Sequence, residues 1–106
     1  MVVEVRQSAV FGRWLRGLRD RQARHRILAR IRRLSLGNPG DVRSVGAGVS
    51  EMRIDYGPGY RVYFVSRGPA VVILLAGGDK RSQQRDIEMA ITLARVAMED
   101  RLDEEA

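Results

Sequence analysis

Residues 49–78 read VSEMRIDYGPGYRVYFVSRGPAVVILLAGG, and this stretch decides the fold. Apolar and polar residues alternate on both sides of Gly57-Pro58-Gly59, and Gly68-Pro69 marks a second interruption. Period-two alternation between turns rich in glycine and proline is typical of strands joined as hairpins. The pattern predicts strands over residues 49–56, 60–67 and 70–76, which form an antiparallel meander.

Strand periodicity assigns the side chains of this meander to two faces. One face of the first two strands is apolar and carries Met52, Ile54, Val62 and Phe64. The opposite face carries the charged and phenolic groups Glu51, Arg53, Asp55, Arg61 and Tyr63. The third strand is almost entirely apolar, which is typical of a central strand that is buried on both faces.

Upstream of the meander, the hydrophobic period changes to that of helices. A short alternating segment at residues 2–6 predicts a first strand that joins an edge of the sheet, and Ser8 is a plausible N-cap. Two amphipathic helices follow. The first ends at Asp20, the second covers residues 21–36, and together they predict an αα-hairpin. Residues 38–48 predict a glycine-rich loop.

Downstream of the meander, the sequence predicts a last helix that starts at residue 82 or 83 and ends at residue 98. Its core face carries Ile87, Ile91, Ala94 and Met98. The element order β-α-α-β-β-β-α predicts an α+β domain with a small antiparallel four-stranded sheet, an N-terminal αα-hairpin and a C-terminal helix. We expect the helices to cover one face of the sheet and to leave the other face partly open.

Residues 1–98 are expected to form a single domain, because 106 residues suffice for only one. Residues 99–106 form an acidic C-terminal tail. That tail is either a solvated terminus or a weak mimic of a polyanion that lies over the basic surface.

The composition excludes several classes of function. The chain has no cysteine and one histidine, His25, so we expect neither a disulfide framework, nor a cysteine nucleophile, nor an ordinary zinc site. No apolar run reaches the roughly 18 residues of a membrane span, and the N-terminus lacks the layout of a signal peptide. We therefore expect a cytoplasmic protein.

The charge is strongly basic and unevenly distributed. The net charge is +6, and residues 1–43 hold eleven arginines against three acids. Guanidinium groups bind phosphates in a bidentate manner and stack on bases. The charge therefore predicts a nucleic acid or an acidic protein as a partner.

The hairpin is the first place where chemistry is concentrated. Strand register decides whether Arg53 lies near Arg61 or near Tyr63. An arginine–tyrosine surface suits RNA, because guanidinium groups bind phosphates and phenol rings stack on bases. The alternative is that these are ordinary half-exposed strand residues, with Arg53 paired to Asp55 or Glu51.

The second place is the segment Gly77-Gly78-Asp79-Lys80-Arg81, between a buried strand and the start of a helix. Glycines let a backbone approach a ligand, and free amides at a helix start attract anions. The only lysine of the chain, Lys80, stands here beside Arg81. The glycine spacing of a P-loop is missing. The alternative is a glycine turn followed by a cap and two solvated cations.

In combination, these segments resemble the RelE/ParE superfamily of type II toxin–antitoxin toxins, in its HigB-like, addiction module killer branch. The resemblance covers roughly residues 8–98. It rests on the paired basic helices, on the hairpin around Gly57-Pro58-Gly59, and on the segment LLAGGDK (residues 74–80) that leads into QQRDI (residues 83–87). It implies two N-terminal helices packed across a small sheet with a basic concave face.

The resemblance also implies a function. RelE- and HigB-like toxins cut mRNA in the ribosomal A site without a metal ion. The ribose 2′-hydroxyl attacks the neighbouring phosphate, leaving a 2′,3′-cyclic phosphate and a 5′-hydroxyl. We therefore expect a toxin that is an endoribonuclease without cofactors, acts on mRNA at the ribosome and inhibits translation. The expected partner is a cognate antitoxin, which in this branch is often a helix-turn-helix protein.

The candidate residues for this reaction are Arg53, Arg61, Lys80 and Arg81 as phosphate-stabilising cations, and Tyr60 and Tyr63 as phenols. Either phenol could stack on a base, or accept the 2′ proton if neighbouring arginines lowered its pKa. The resemblance carries over four family-like positions: Arg53, Tyr60, Arg61 and Lys80.

The resemblance carries over no general base. Many ribonuclease members have a tyrosine or histidine near the C-terminus, and here none follows Tyr63. Two alternatives therefore stay open. One is a ParE-like, non-enzymatic inhibitor of DNA gyrase. The other is a degenerate member that acts only through antitoxin binding and operon regulation.

Overall fold

The structure, a computed structural model, describes the backbone of residues 2–105 and the side chains of residues 2–97. The residues that the structure describes form five strands, three α-helices and one 3-10 turn. In chain order these are β1 (Glu4–Gln7), α1 (Ala9–Gly17), α2 (Arg21–Ser35), β2 (Val42–Gly46), β3 (Val49–Ile54), β4 (Tyr60–Arg67), β5 (Val71–Gly78), the 3-10 turn (Lys80–Ser82) and α3 (Gln83–Glu105). No helix among these described residues is long and apolar enough to span a membrane.

The strands form one mixed sheet in the order β1-β5-β4-β3-β2. Strands β2 to β5 are antiparallel, as the meander pattern predicts, whereas β1 lies parallel to β5 at one edge. The prediction of a first strand at an edge is confirmed. The prediction of an entirely antiparallel, four-stranded sheet is wrong in two respects, because β1 runs parallel and β2 is an additional strand.

Strand β2 lies within the segment that was predicted to be a loop. Its pairing with β3 places Val42 opposite Met52, and Ala47 and Gly48 form the tight turn between the two strands. Both turn residues have positive φ, 54° and 79°, as a type I′ hairpin turn requires. The two valines of β2, Val42 and Val45, are three residues apart and do not alternate with period two, so the sequence signal of this strand is weak.

The sheet is covered on both faces, so the expectation of one partly open face is wrong. Helices α1 and α2 pack on the apolar face around Phe11, Ile27, Met52 and Phe64. Helix α3 packs on the opposite face, where Ala90 and Ala94 contact the cluster that contains Tyr63. The predicted division of the strand residues between two faces is confirmed by these two clusters.

Local signals set the starts of the first two helices. The Ser8 hydroxyl accepts a hydrogen bond from the amide of Phe11 at 3.0 Å, so the predicted N-cap of α1 is confirmed. Asp20 is the N-cap of α2, accepting from the amides of Gln22 at 3.0 Å and Ala23 at 3.1 Å. Because α1 already ends at Gly17, Asp20 starts the second helix and does not end the first.

Helix α3 continues beyond the predicted end at residue 98, through most of the acidic tail. The predicted core face is present in part, because Ala94 is buried and Ile87 and Ile91 pack at its margin. Met98 and the tail side chains lie outside the described side chains, as does the suggested contact of the tail with the basic surface.

Candidate phosphate-binding site

Two arginines lie directly opposite each other on neighbouring strands. Register pairs Arg53 of β3 with Arg61 of β4, and pairs Arg61 with Gly78 of β5. Directly paired residues on antiparallel strands project to the same face with Cβ atoms about 5 Å apart. Of the two registers that the sequence allows, the structure has the one that pairs arginine with arginine, while Tyr63 lies opposite Glu51.

Arg53 and Arg61 line a cleft at the end of the sheet. The cleft has a volume of about 270 Å³ and is lined by Asp41, Arg53, Ile54, Asp55, Gly59 and Arg61; we call it the phosphate cleft. A Cβ atom built on Gly59 would lie 3.4 Å from Nη1 of Arg61 and 3.5 Å from Cβ of Lys80. The Cβ atom of Lys80 therefore lies beside the same glycine turn as Arg61, while Arg53 and Arg61 line the cleft itself.

A fully buried carboxylate, Glu51, lies behind Arg61. Its oxygens accept hydrogen bonds from Nε of Arg43 at 2.9 Å, from the amide of Gln83 at 2.9 Å and from the hydroxyl of Tyr63 at 3.1 Å. Nε of Arg61 lies 3.7 Å from the same carboxylate, and Nη1 of Arg61 donates to the carbonyl oxygen of Gly59 at 2.9 Å. The Arg61 guanidinium is thus held by the Gly59 carbonyl oxygen on one side and by the Glu51 carboxylate on the other.

The Glu51 carboxylate is charged at neutral pH. Burial raises the pKa of Glu51, but the hydrogen bonds from Gln83, Arg43 and Tyr63 outweigh burial and hold the pKa below its ordinary value. A buried carboxylate that accepts several hydrogen bonds favours its ionised form. Gln83 is the first residue of α3, so this charge also joins the start of α3 to β3.

Arg53 is held more loosely than Arg61. Its guanidinium forms an ion pair with Asp41 at 3.2 Å, in which both side chains are about half exposed. Exposed pairs contribute little free energy, so a ligand phosphate can replace Asp41 as a partner. The structure pairs Arg53 neither with Asp55 nor with Glu51, the partners that the sequence suggested.

The two candidate tyrosines are placed differently from the expectation. Tyr63 is fully buried, and burial followed by the neighbouring Glu51 carboxylate raises its pKa. Tyr63 therefore offers no ring for base stacking, and the condition for its acting as a base is not met. Tyr60 lies on the other face of the sheet, edge-on to Trp14 at 6.3 Å, and burial raises its pKa too.

The glycine segment has a packing explanation. A Cβ atom on Gly77 would lie 2.2 Å from the Trp14 ring, and one on Gly78 would lie 1.8 Å from a carboxylate oxygen of Asp86. Gly77 and Gly78 thus make room for two side chains of the protein itself, which corrects the prediction that they admit a ligand.

The start of the following turn is already occupied. The Asp79 carboxylate accepts from the amides of Arg81 at 2.9 Å and Ser82 at 3.3 Å. The sequence suggested that free amides at this helix start would attract an anion. These two amides are instead already bonded to Asp79. The side chains of Lys80 and Arg81 are exposed, but Arg81 does not line the phosphate cleft.

Sequence reasoning missed Asp41, Gln83 and the organising position of Glu51. Glu51 lies on the same strand face as Tyr63, so the period-two signal was available. Its burial could be foreseen only if a helix were placed on that face. Within residues 2–97, no three metal-ligating His, Cys, Asp or Glu side chains lie close enough to share one ion.

Comparisons with known protein sequences identify the family of this chain. A model of the family "Phage derived protein Gp49-like (DUF891)" matches residues 13–99. A Haemophilus influenzae protein that is described as uncharacterized is 46% identical over 94 residues, which covers 89% of this chain and 95% of the relative. The chain belongs to the phage-derived Gp49-like family, a RelE-like and toxin-like family.

Proposed function

We propose that the protein is the toxin of a type II toxin–antitoxin system and acts as a metal-independent, ribosome-dependent mRNA endoribonuclease that inhibits translation. Membership of a toxin-like family supports the toxin assignment. The observation that carries the enzymatic part is that Arg53 and Arg61, paired across two strands, line one cleft, with Lys80 next to the glycine turn at Gly59. Two guanidinium groups at one small cleft, with a lysine nearby, suit a phosphate that gains charge during the reaction.

In this proposal the scissile phosphate binds in the phosphate cleft. Arg61, oriented by Glu51, and Arg53, released from Asp41, bind the nonbridging oxygens. The cleft also contains Asp55, whose carboxylate forms no hydrogen bond or ion pair with any described residue. Asp55 is therefore our candidate proton acceptor, a function that neither tyrosine can fill.

The proposed reaction is a transesterification within the RNA chain. The 2′-hydroxyl transfers its proton to Asp55 while the bond from O2′ to phosphorus forms. The bond from phosphorus to O5′ then breaks, and the leaving oxygen takes a proton from the Lys80 ammonium group. The products are a 2′,3′-cyclic phosphate and a 5′-hydroxyl, and no metal ion or redox partner takes part.

The cognate antitoxin is expected to neutralise these same cations. We propose a helix-turn-helix protein that presents acidic side chains to the phosphate cleft, since charge complementarity steers such complexes.

Within the RelE/ParE superfamily, the finer assignment that we propose is the HigB-like branch. Tyr60 and Arg81, which lie outside the cleft, are proposed only as peripheral contacts to the ribosome–mRNA substrate.

One observation favours a second candidate function. Among the described residues, both candidate phenols near the hairpin have raised pKa values, and Tyr63 is sealed in the core. A toxin without a suitable base would act by binding alone, as the ParE-like inhibitors of DNA gyrase do. A degenerate member that only binds its antitoxin would lack toxicity altogether.

Purified protein, ribosomes programmed with a short mRNA, and gyrase test these alternatives together. We expect cleavage in the A-site codon by the wild type, strongly reduced cleavage by Arg61→Ala and Asp55→Asn, and normal cleavage by the control Arg95→Ala in α3. Asp55→Asn should bind RNA at least as tightly as the wild type, because it removes the proton acceptor and one negative charge but no cation. Inhibition of gyrase supercoiling without mRNA cleavage would contradict the proposed function and support the second candidate.

A further inference from the structure

A second basic cleft adjoins the phosphate cleft. It has a volume of about 320 Å³ and is lined by Arg26, Ala29, Arg30, Arg33, Ile54 and Asp55; we call it the arginine groove. Ile54 and Asp55 line both clefts. The two clefts therefore adjoin each other at the end of β3.

The three arginines of this groove share one face of α2. They occupy positions i, i+4 and i+7, which places them about 6 Å and then about 4.5 Å apart along the helix axis. Like charges at such spacing repel each other. Burial lowers the pKa of Arg30, and the charge of Arg33 lowers it further, so the repulsion is felt within the folded protein.

Of the three arginines, Arg30 is the one whose guanidinium donates hydrogen bonds to the backbone of other segments. Arg30 donates to the carbonyl oxygen of Arg53 at 2.6 Å and to that of Pro39 at 3.0 Å, which fixes the loop before β2. Arg26 lies over the Tyr56 ring at 4.6 Å. The Arg33 guanidinium has no hydrogen bond or ion pair with any side chain or backbone group that the structure describes, so its charge is available.

We propose that the arginine groove binds the sugar–phosphate backbone of single-stranded RNA where that strand leaves the phosphate cleft. This inference rests on the proposed function, because it takes RNA to be the ligand of the cleft. A single strand presents one phosphate per nucleotide, and successive cations along one helix face suit that arrangement. Asp55 separates the two clefts, so its negative charge opposes binding at that one point.

Fluorescence anisotropy with labelled oligouridylate, titrated with salt, tests this inference. We would compare a trinucleotide, whose two phosphates are too few to occupy the phosphate cleft and the whole arginine groove together, with a strand of about ten nucleotides. The variants are Arg26→Gln and Arg33→Gln, singly and together. Arg95→Gln is the matched control, since it removes one exposed helical arginine on the opposite side of the sheet. Equal thermal midpoints would show that all variants are folded.

The expected result depends on strand length. For the longer strand, each groove substitution should flatten the slope of log K against log salt by about 0.7, the value for one lost phosphate contact. The trinucleotide should bind the wild type and the groove variants equally, and Arg95→Gln should leave both strands unaffected. Asp55→Asn should bind the longer strand more tightly.

Several results would overturn the inference. If Arg33→Gln and Arg95→Gln weakened binding of the longer strand equally, the attraction would be diffuse and not local to the groove. If the groove variants lost affinity for duplex RNA only, the ligand of the groove would be duplex RNA and not a single strand. Loss of antitoxin binding by the double variant, with RNA binding unchanged, would assign the groove to that protein. If the wild type bound neither oligonucleotide, the RNA-binding basis of the proposed function would fail with it. If Arg53→Gln lost affinity for the longer strand and the groove variants did not, this inference would be overturned while the proposed function would stand.

Discussion

Arg53 and Arg61 are direct cross-strand partners, although like charges in this position destabilise a sheet. Each guanidinium has its own carboxylate on the protein. Asp41 lies 3.2 Å from Arg53, and Glu51 lies 3.7 Å from Arg61. One of these carboxylates is exposed and the other is fully buried, so one arginine can exchange its partner while the other stays fixed.

Replacement of Arg61 should abolish toxicity even when its charge is kept. Arg61→Lys retains one positive charge but loses the planar fork that Gly59 and Glu51 orient. We expect the rate of mRNA cleavage to fall about 100-fold or more, as for the loss of one preorganised donor to a reacting oxyanion. Single-turnover cleavage on programmed ribosomes measures this effect. A rate within threefold of wild type, in a folded variant, would exclude a contact between Arg61 and the phosphate.

Glu51→Gln should destabilise the fold, because hydrogen bonds to a buried charge are lost. We expect the free energy of unfolding at pH 7 to fall by about 2 kcal/mol. Urea titration measures it, and Glu88→Gln, on the exposed surface of α3, is the matched control. Equal stability of the two variants would show that the carboxylate contributes nothing to the fold.

The pH dependence of stability should carry the signature of Glu51. The pKa of Glu51 is held below its ordinary value of 4.5 in the folded state. Its stabilising contribution is therefore complete above the unfolded pKa, and it is lost as the pH falls through the folded pKa. Between pH 6 and pH 3 the wild type should lose more stability than Glu51→Gln. Parallel curves for the two proteins would refute the contribution.

Tyr63→Phe should remain an active toxin. The substitution removes one hydrogen bond to Glu51, so we expect a loss of about 1 kcal/mol in stability and little change in the rate of cleavage. Because Tyr63 is buried and its pKa is raised, it is a poor proton acceptor. Loss of cleavage in a stable Tyr63→Phe variant would return the phenol to the reaction.

Gly77→Ala should disrupt the packing of α1 on β5, since the added methyl group overlaps the Trp14 ring. We expect a loss of about 3 kcal/mol in the free energy of unfolding. Gly17→Ala at the end of α1 is the control, because nothing lies within 4 Å of its Cβ position. That variant should gain about 0.5 kcal/mol. Similar stabilities by urea titration would contradict the close packing.

Local sequence signals predicted those parts of the fold that depend on neighbouring residues. Period-two alternation assigned Met52 and Tyr63 to opposite faces, and Ser8 marked the start of α1. The sequence did not predict strand β2, because this strand is stabilised by its pairing with β3 and has no strong alternating pattern of its own. The cover of the second face was not predicted, because the apolar face of the last helix, which the sequence does indicate, does not show on which face of the sheet that helix packs.

The candidate site was predictable in its residue types and not in its arrangement. The sequence singled out Arg53, Arg61 and Lys80, but only the register of β3 on β4 brings the two arginines together. Asp41 enters the cleft through the loop that Arg30 fixes, which is a long-range contact. Burial of Glu51 and Tyr63 follows from the position of α3, which the sequence pattern had placed on the other face.

The measurement that tests the central claim most directly is a map of RNA 5′ ends across the transcriptome, made shortly after induction of this protein without its antitoxin. The account predicts new 5′-hydroxyl ends at fixed positions within translated codons, and their absence after induction of Arg61→Ala. Growth arrest without such ends would contradict the proposed nuclease.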